Sequence, residues 1–337
     1  MIDRILKMES IKLILNPNDI NVVVYHSPCV DGYSAAFVAK YSLNKELVFI
    51  GVLPNSDLNI DDIKGKNVLM VDVVCKNYAE VNTHANKLII LDHHVTNEGT
   101  LTGIPYAYFN MHKSGVGIAW EYFNGEAEMP LFLKYIQDRD IWTNLYEDSN
   151  YFGDYLLSEI DYSDDKFDIF YKLMSGEISV DEYSKNGKLL YDVKMKRIAK
   201  IVKSSEPIKI QLGAEKNTNK RIDILGELEE DGVKYNLLKY TMVTTVKEPV
   251  DVSRYNIYIF NNSEFASDLG SYVMENKECD FAVIWSYNHK SNKYIYSLRS
   301  KDEKTNVSEI AKMFNGGGHR NAAGFTSDYH PEILFEY

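Results

Sequence analysis

With 337 residues, the chain exceeds the size at which one hydrophobic core stops growing, so its length predicts two domains rather than one. Apolar residues make up 45% and charged residues 26%, a composition typical of globular proteins and unlike that of disordered chains. The net charge of −12, without any basic run, argues against a protein that follows long duplex nucleic acid. A phosphate-bearing ligand would therefore be small and would meet only local positive charge.

The chain has three cysteines, Cys29, Cys75 and Cys279. This small, odd number argues against a disulfide framework and for a reducing compartment. The first residues mix charged and apolar side chains and lack the continuous apolar segment of a secretory signal. No stretch approaches the length of a transmembrane helix. We expect a cytoplasmic protein that does not bind membranes.

The first part of the chain alternates short apolar strands with loops and helices. Strands are predicted at Asn21–Tyr25, Leu47–Leu53, Asn67–Val74 and Leu88–Leu91, and helices at Tyr33–Tyr41 and Asn77–Asn86. This order implies an α/β fold with a largely parallel sheet and right-handed crossovers. The carboxyl ends of parallel strands share one edge of the sheet, where open α/β sheets bind ligands.

Three polar side chains, Asp92, His93 and His94, directly follow the apolar run Leu88–Leu91. They place one carboxylate and two imidazoles at a strand end, a combination suited to a divalent metal. The alternative is a partly exposed turn with two incidental histidines. Polar residues also follow the neighbouring strands, and this favours the interpretation that the triplet binds a metal.

Asp72 lies inside the apolar run Asn67–Val74, where a charged side chain is costly to bury unless it is paired or binds a metal. His26 and Asp31 follow the first strand, so three different strands direct polar groups to one sheet edge. As an alternative, Asp72 could cap the helix that begins near Asn77. Its position on the strand favours the metal interpretation.

After a short predicted strand at Tyr106–Phe109, two predicted helices supply further candidate site residues. The helix predicted at Ser114–Phe123 begins with small residues, which let backbone amides approach an anion or let the helix pack close to the sheet. The next helix, Leu131–Trp142, ends in Asp138, Arg139 and Asp140. Because the two aspartates are two residues apart, they point to different sides of the helix, and only one is expected to reach the site.

The last third of the chain carries a second group of candidate ligand-binding residues. A glycine triplet is followed by His319 and Arg320, and Arg299 ends the predicted strand Lys293–Leu298. Glycine amides can form a concavity for phosphate oxygens, and an arginine can form two hydrogen bonds to a phosphate. A flexible turn is the alternative for the glycines. Between the two groups, a charged helix at Glu182–Val202 is predicted to connect domains, and Gln211–Val250 is predicted to form hairpins.

In these motifs the sequence resembles the DHH phosphoesterase superfamily. The superfamily motifs are matched by Asp31-Gly32, Asp72, Asp92-His93-His94 and Asp140, with Asp138 as the alternative for the last. Ser297–Ser300 and Val307–Phe325 resemble the DHH-associated substrate domain. The resemblance implies a mostly parallel α/β catalytic domain over residues 1–185, a helical connector over 186–205, and a smaller α/β substrate domain over 206–337.

The resemblance also implies a divalent-metal-dependent phosphohydrolase. One or two cations, with Mn²⁺ favoured and Mg²⁺, Zn²⁺ or Fe²⁺ as alternatives, would be held by His26, Asp31, Asp72, His93 and Asp140. Asp72 and His93 would also be catalytic, together with His94, which would contact a phosphoryl oxygen or the leaving group. The substrate would be bound by Arg299, Gly317, Gly318, His319 and Arg320. It would be a short oligonucleotide, a cyclic dinucleotide or a nucleotide phosphate.

Cys29 departs from the superfamily pattern, because most relatives have an aspartate two residues before the Asp31 position. A thiolate is a softer ligand than a carboxylate, so one metal position would be weakened, altered towards Zn²⁺ or Fe²⁺, or vacant. Alternatively, Cys29 only packs the loop. This departure allows a second interpretation, namely a catalytically weak nucleotide-binding or signalling protein. A third interpretation is a single-strand-specific exonuclease. The oligomeric state stays open, with a homodimer as one option.

Overall fold

The structure is a computed structural model that describes residues 2–54, 56–164, 166–212, 217–230, 233–245, 253–289 and 291–335. The chain divides into two compact units, Met1–Ile201 and Val202–Tyr337. Two units agree with the expectation from length. The finer domain boundaries expected from the sequence stay a prediction.

The N-terminal unit contains one five-stranded sheet, with spatial order β2-β1-β3-β4-β5. Its strands are β1 (Val22–His26), β2 (Val48–Val52), β3 (Asn67–Val71), β4 (Lys87–Asp92) and β5 (Ala107–Phe109). Its helices are α1 (Ile2–Ile14), α2 (Val30–Leu43), α3 (Tyr78–His84), α4 (Glu98–Leu101), α5 (Gly115–Asn124), α6 (Leu131–Asp140), α7 (Ser149–Glu159), α8 (Asp168–Ser175) and α9 (Val180–Lys203). Short 3₁₀ helices lie at Pro17–Asp19, Ile60–Asp62 and Val95–Asn97.

All neighbouring strands of this sheet run parallel. Successive residues of β3 belong to different cores, because a strand directs alternate side chains to opposite faces. Val68 and Met70 pack in one apolar cluster, and Leu69 and Val71 pack in the other. The continuous apolar run is therefore buried on both faces, and the predicted parallel α/β sheet is confirmed.

The strand β3 ends at Val71, three residues earlier than predicted. Asp72 has a left-handed backbone conformation with φ of 60°, which no residue of a regular strand adopts. Its amide still donates to the Leu91 carbonyl at 2.9 Å, so the turn begins at the sheet edge. This turn places the Asp72 side chain at the carboxyl end of β3, between the ends of β1 and β4.

The C-terminal unit contains a six-stranded mixed sheet with spatial order β12-β13-β11-β10-β9-β6. Its strands are β6 (Ile208–Leu212), β9 (Ser253–Asn261), β10 (Phe281–Asn288), β11 (Lys293–Arg299), β12 (Gly317–Gly318) and β13 (Ala322–Ser327), and its helices are α10 (Ala266–Asn276), α11 (Val307–Met313) and α12 (Pro331–Leu334). Only β9 and β10 pair in parallel among the described strands of this sheet. The predicted second α/β domain is confirmed in this unit.

Two further strands, β7 (Asn217–Glu230) and β8 (Val233–Thr245), form a separate antiparallel pair. The register joins Glu230 to Val233, as expected for the hairpin predicted in Gln211–Val250. Asp231 and Gly232, which are a turn signal in the sequence, lie outside the described residues. Asn217–Asn219 belongs to β7, because cross-strand pairing continues to that end.

The helix α9 contains 24 residues and includes the charged segment in which we expected a connector. Lysines recur along its whole length, whereas its acidic residues are confined to Asp181, Glu182 and Asp192. None of the helices in the described part of the chain is both long and apolar enough to cross a membrane.

Candidate metal and phosphate site

Six of the predicted site residues meet at the carboxyl ends of β1, β3 and β4. We call them the strand-end cluster: His26, Asp31, Asp72, His93, His94 and Asp140. Three of them, Asp31, Asp72 and His93, are at least 98% buried. Neighbouring strands supply His26, Asp72 and the histidine pair, whereas helices α2 and α6 supply Asp31 and Asp140.

His93 lies at the centre of the cluster. Its Nε2 atom is 3.0 Å from Asp72 Oδ1, 3.5 Å from Asp140 Oδ2 and 3.8 Å from Asp31 Oδ2. One ring nitrogen thus faces three carboxylates that come from different elements. Burial alone would lower the pKa of His93, but Asp140, Asp72 and Asp31 raise it to about 10.

Asp31 is held by the N-terminus of helix α5. Its Oδ1 accepts hydrogen bonds from Ser114 Oγ at 2.7 Å and from the Val116 amide at 3.0 Å, and its Oδ2 accepts one from the Gly115 amide. The small-residue start of this helix therefore does approach an anion, namely a carboxylate of the protein itself. A Cβ atom on Gly115 would lie 2.5 Å from Asp72 Cβ and 2.8 Å from Asp31 Oδ2. Only glycine allows both aspartates to approach here.

The carboxylates of the cluster repel one another. Burial, followed by the charges of Asp140 and Asp72, raises the pKa of Asp31 well above its usual range. Burial likewise raises the pKa of Asp140. Burial acts in the same direction on Asp72, but the adjacent imidazoles of His26 and His93 outweigh it and hold the pKa of that carboxyl well below its usual range. A bound cation would relieve this excess of negative charge.

The cluster also contains buried polar atoms that hydrogen bonds do not satisfy. Asp72 Oδ2, Asp140 Oδ2 and His26 Nδ1 have no hydrogen-bond partner among the described residues. A buried carboxylate oxygen without a partner is costly, and native proteins retain such atoms mainly where they bind something. Oxygen and imidazole nitrogen donors are ligands of Mn²⁺, Mg²⁺ and Zn²⁺. The donor set therefore fits a divalent cation.

Asp92 lies behind His94 and orients it. Its Oδ1 is 2.8 Å from His94 Nδ1, and its Oδ2 accepts a hydrogen bond from Asn97 Nδ2 at 2.7 Å. Burial alone would lower the pKa of His94, but Asp92 raises it above its usual value. Asp92 is thus placed to fix a proton on Nδ1, which is the usual role of a carboxylate beside a functional histidine.

The two aspartates of helix α6 have different surroundings. Asp140 reaches His93, as described, whereas Asp138 accepts hydrogen bonds from Thr143 Oγ1 at 2.6 Å and from the Leu145 amide at 2.7 Å. Asp138 thereby stabilises the turn after the helix and is not part of the cluster. The geometry favours Asp140 as the metal ligand.

An ion-paired network that the sequence patterns did not predict anchors the end of α6. Arg139 NH2 is 2.9 Å from Asp154 Oδ1 on α7, and Lys194 Nζ on α9 is 2.5 Å from Asp154 Oδ2. A Cβ atom on Gly153 would lie 2.8 Å from Arg139 Cδ, so this glycine makes room for the arginine. The three charges fix the helix end that carries Asp140.

In the C-terminal unit, Arg299 is the predicted ligand-binding residue with an unsatisfied group. Its NH1 donates to the Leu298 carbonyl at 2.9 Å and its NH2 donates to Ser267 Oγ at 2.5 Å, while the buried Nε has no partner among the described residues. Burial lowers the pKa of Arg299 to about 10. A Cβ atom on Gly270 would lie 2.5 Å from Arg299 Cγ, so helix α10 approaches the arginine through a glycine.

The glycine triplet forms one side of a tight antiparallel hairpin. Gly317 and Gly318 pair with β13, and the His319 amide donates to the Ala322 carbonyl at 2.7 Å. A Cβ atom on Gly318 would lie 2.5 Å from the Ala322 carbonyl oxygen, and φ of this residue is 136°. Close strand approach therefore explains this glycine, rather than a flexible turn.

Arg320 binds the protein itself in this structure. Its NH2 donates to the carbonyls of Asp302 at 2.8 Å and Lys304 at 3.1 Å. The structure therefore does not bring the guanidinium groups of Arg299 and Arg320 to one ligand position. The roles of Arg299, Gly317, Gly318, His319 and Arg320 in substrate binding stay predictions.

Comparisons with known proteins agree with the fold and the motifs. A family model described as the DHHA1 domain matches residues 260–333. The chain is 31% identical to Uncharacterized protein R106 of Acanthamoeba polyphaga mimivirus over 330 residues, which cover 92% of this chain and 68% of the relative. It is similar in fold to an exopolyphosphatase-related protein from Bacteroides fragilis, with a TM-score of 0.53, 13% identity and coverage of 97% and 93%.

A further solved structure, RecJ in complex with Mn²⁺ from Thermus thermophilus, aligns with a TM-score of 0.48 and 11% identity, covering 98% of this chain and 53% of that one. The viral relative spans nearly all of this chain, and the DHHA1 match falls within the C-terminal unit. The chain belongs to the DHH phosphoesterase superfamily.

Proposed function

We propose that this protein is a divalent-metal-dependent phosphohydrolase that cleaves a small nucleotide-type phosphoester. One observation carries the proposal: Asp72 and Asp140, from different elements, direct buried oxygens that no hydrogen bond satisfies into a cluster centred on His93. Such an arrangement has a desolvation cost that a purely structural role would not require. Membership of a phosphoesterase superfamily supports the same chemistry.

The metal, with Mn²⁺ as our candidate, would be held by Asp31, Asp72, His93 and Asp140, with His26 as a further ligand. When bound, it would make an attacking water more acidic and neutralise the charge that develops on the phosphoryl oxygens. Helix α5 keeps Asp31 in place through three donated hydrogen bonds. His93 must lose its proton before its Nε2 can bind a cation, so binding reverses its raised pKa.

His94 has a separate role in the proposal. Asp92 raises the pKa of His94 and holds its Nδ1, which favours the protonated form of the ring. An imidazolium can donate a hydrogen bond to a phosphoryl oxygen or give its proton to the leaving group. We assign His94 to one of these two tasks.

The substrate class rests on the C-terminal unit and on the charge of the chain. The DHHA1 domain supports a substrate with a nucleotide part. We propose that the unsatisfied Nε of Arg299 donates to a non-reacting phosphate or to the base of this substrate. A net charge of −12 favours a ligand with few phosphates. Short oligonucleotides, cyclic dinucleotides and nucleotide phosphates meet both conditions.

The test is hydrolysis by the full chain with added Mn²⁺, Mg²⁺ or Zn²⁺, assayed on a panel of short oligonucleotides, cyclic dinucleotides, nucleotide bisphosphates and polyphosphate. We expect turnover of at least one nucleotide-type member, loss of turnover with a chelator, and recovery with Mn²⁺. Binding without turnover under any metal would support the nucleotide-binding alternative. Turnover of polyphosphate alone would contradict the substrate class.

The exonuclease alternative is tested by salt and substrate length. A short ligand releases few counterions, so the logarithm of the binding constant should fall with the logarithm of salt concentration with a slope of magnitude below about 2. A steep slope, with affinity that continues to grow as single strands lengthen, would favour the exonuclease.

A further inference from the structure

We propose that Cys29 is a thiolate ligand in the strand-end cluster and makes the metal position beside His26 and Asp72 chemically softer than the rest of the cluster. This inference rests on the proposed function and deepens it. The loop between β1 and α2 brings Cys29 to His26 and Asp72, so that Sγ, a ring nitrogen and a carboxylate oxygen lie within 4.8 Å of one another. We call this set the soft triad.

A second set, the hard triad, consists of Asp31, His93 and Asp140, whose ligand atoms also lie within 4.8 Å of one another. Asp72 faces both sets with different oxygens. Its Oδ1 is 3.0 Å from His93 Nε2, and its Oδ2 is 3.4 Å from His26 Nδ1. Asp72 therefore belongs to the surroundings of both triads.

Unpartnered atoms on the soft side independently indicate a ligand there. Asp72 is 99% buried, and neither its Oδ2 nor His26 Nδ1 has a hydrogen-bond partner among the described residues. The two atoms lie 3.4 Å apart, an ion-pair distance, and neither is satisfied by a hydrogen bond.

The position of Cys29 on its helix supports the same role. It is the N-cap residue of α2, where serine, threonine, aspartate and asparagine are preferred because their oxygens accept amide hydrogen bonds. Gly32 gives the loop room to close, since a Cβ atom there would lie 2.8 Å from His26 Cβ and 3.0 Å from Asp72 Oδ2.

The donor types of the two triads favour different metals. Sulfur, imidazole nitrogen and one carboxylate oxygen form a three-ligand set typical of zinc sites with an open fourth position, and Fe²⁺ is the next candidate. Two carboxylates and an imidazole, with the shared Asp72, form a harder set that suits Mn²⁺ or Mg²⁺. Metal binding at the soft triad would release the thiol proton to solvent and leave a sulfur–metal bond.

The experiment uses Co²⁺, because a cobalt–thiolate bond produces a charge-transfer band in the near ultraviolet and carboxylate or imidazole ligands do not. The full chain, freed of metal and kept reduced with a phosphine, is titrated with Co²⁺ in parallel with Cys29→Ser and Cys279→Ser. Cys279 is 97% buried in the other unit and serves as the matched control.

We expect the band in the natural protein and in Cys279→Ser, and at least about a tenfold loss of its intensity per bound Co²⁺ in Cys29→Ser. Absence of the band from the natural protein, or its persistence in Cys29→Ser, would overturn the inference. Cys29→Asp provides a second readout that does not depend on cobalt. Its preference for Mn²⁺ over Zn²⁺, measured by elemental analysis after competition, should rise at least about tenfold, and an unchanged preference would also overturn the inference.

The two proposals fail in different ways. Phosphoester hydrolysis without the thiolate band would remove Cys29 from the site and leave the proposed function intact. The band without hydrolysis of any phosphoester would retain the soft triad and contradict the proposed function.

Discussion

The strand-end cluster and the surroundings of Arg299 are both buried polar sites with incomplete hydrogen bonding, but they have opposite charge. The first combines several carboxylates, two of which have an unpartnered oxygen among the described residues. The second presents one guanidinium whose Nε–H likewise has no partner in the described part of the chain. The excess of carboxylates suits the first site to a cation, and the unsatisfied N–H donor suits the second to a hydrogen-bond acceptor such as a phosphate oxygen.

The two regions also differ in how the fold holds the key side chain. Asp72 is placed by the backbone, through a left-handed turn at a strand end, and Asp31 is fixed by helix amides. Arg299 is placed by side-chain packing against Gly270 and by a hydrogen bond to Ser267. Substitutions should therefore affect metal binding and chemistry in the first region, and substrate affinity in the second.

The largest expected effect comes from Asp72→Asn, which should lower kcat by roughly a thousandfold or more, about 4 kcal/mol in activation free energy. The shared oxygen ligand is lost, while removal of one negative charge relieves repulsion in the metal-free cluster. Rates in saturating Mn²⁺ and the melting temperature in chelator should be compared with those of Asp61→Asn, an exposed aspartate in the same unit. Full activity of Asp72→Asn would exclude it from the metal site.

Substitution of the two aspartates of α6 tests which of them is the metal ligand in the strand-end cluster. Asp140→Asn should lower kcat by about a hundredfold with little change in stability, since its oxygen faces the cluster. Asp138→Asn should retain metal binding but lose about 1–3 kcal/mol of unfolding free energy, because it accepts hydrogen bonds in the following turn. Denaturant unfolding and metal titration of both variants test this assignment. Loss of metal binding in Asp138→Asn, with loss of stability in Asp140→Asn, would show that the assignment is wrong.

Arg299→Ala should lower kcat/KM for a nucleotide substrate by about 10- to 100-fold, the usual effect of losing a charge-assisted hydrogen bond. A small nitrophenyl phosphoester lacks the distant part of the substrate and should lose much less. Lys301→Ala removes an exposed positive charge two residues away and is the control. Equal losses on both substrates would place Arg299 in the chemistry rather than in substrate binding.

A smaller effect is expected from pH on the metal-free protein. The pKa of His93 is raised to about 10 in the folded state, so its stabilising contribution is present below about pH 6.5 and is lost as the pH rises to about 10. In chelator, the melting temperature should fall over this range by at least about 5 °C more than that of His93→Gln. Saturating Mn²⁺ should remove this fall, because metal binding requires the neutral imidazole. Parallel melting curves of the two proteins in chelator would contradict the raised pKa.

The sequence by itself was sufficient for the parallel sheet and for the residues at its edge. Apolar runs such as Leu88–Leu91 predict burial on both faces, and parallel strands present their carboxyl ends together. His26, Asp72 and His93 could therefore be placed near one another from strand order alone. The backbone turn at Asp72 was not predictable in the same way, because an apolar pattern does not show where a strand ends.

Some residues look equivalent in the sequence pattern, and only the tertiary structure distinguished their roles. Asp138 and Asp140 both end the same helix, and their different roles depend on which faces the turn and which faces His93. The contact of Asp31 with helix α5 joins residues more than 80 positions apart, and the ion pairs of Asp154 join three separate helices. These contacts depend on how helices pack on the sheet, which side-chain periodicity along the chain does not specify.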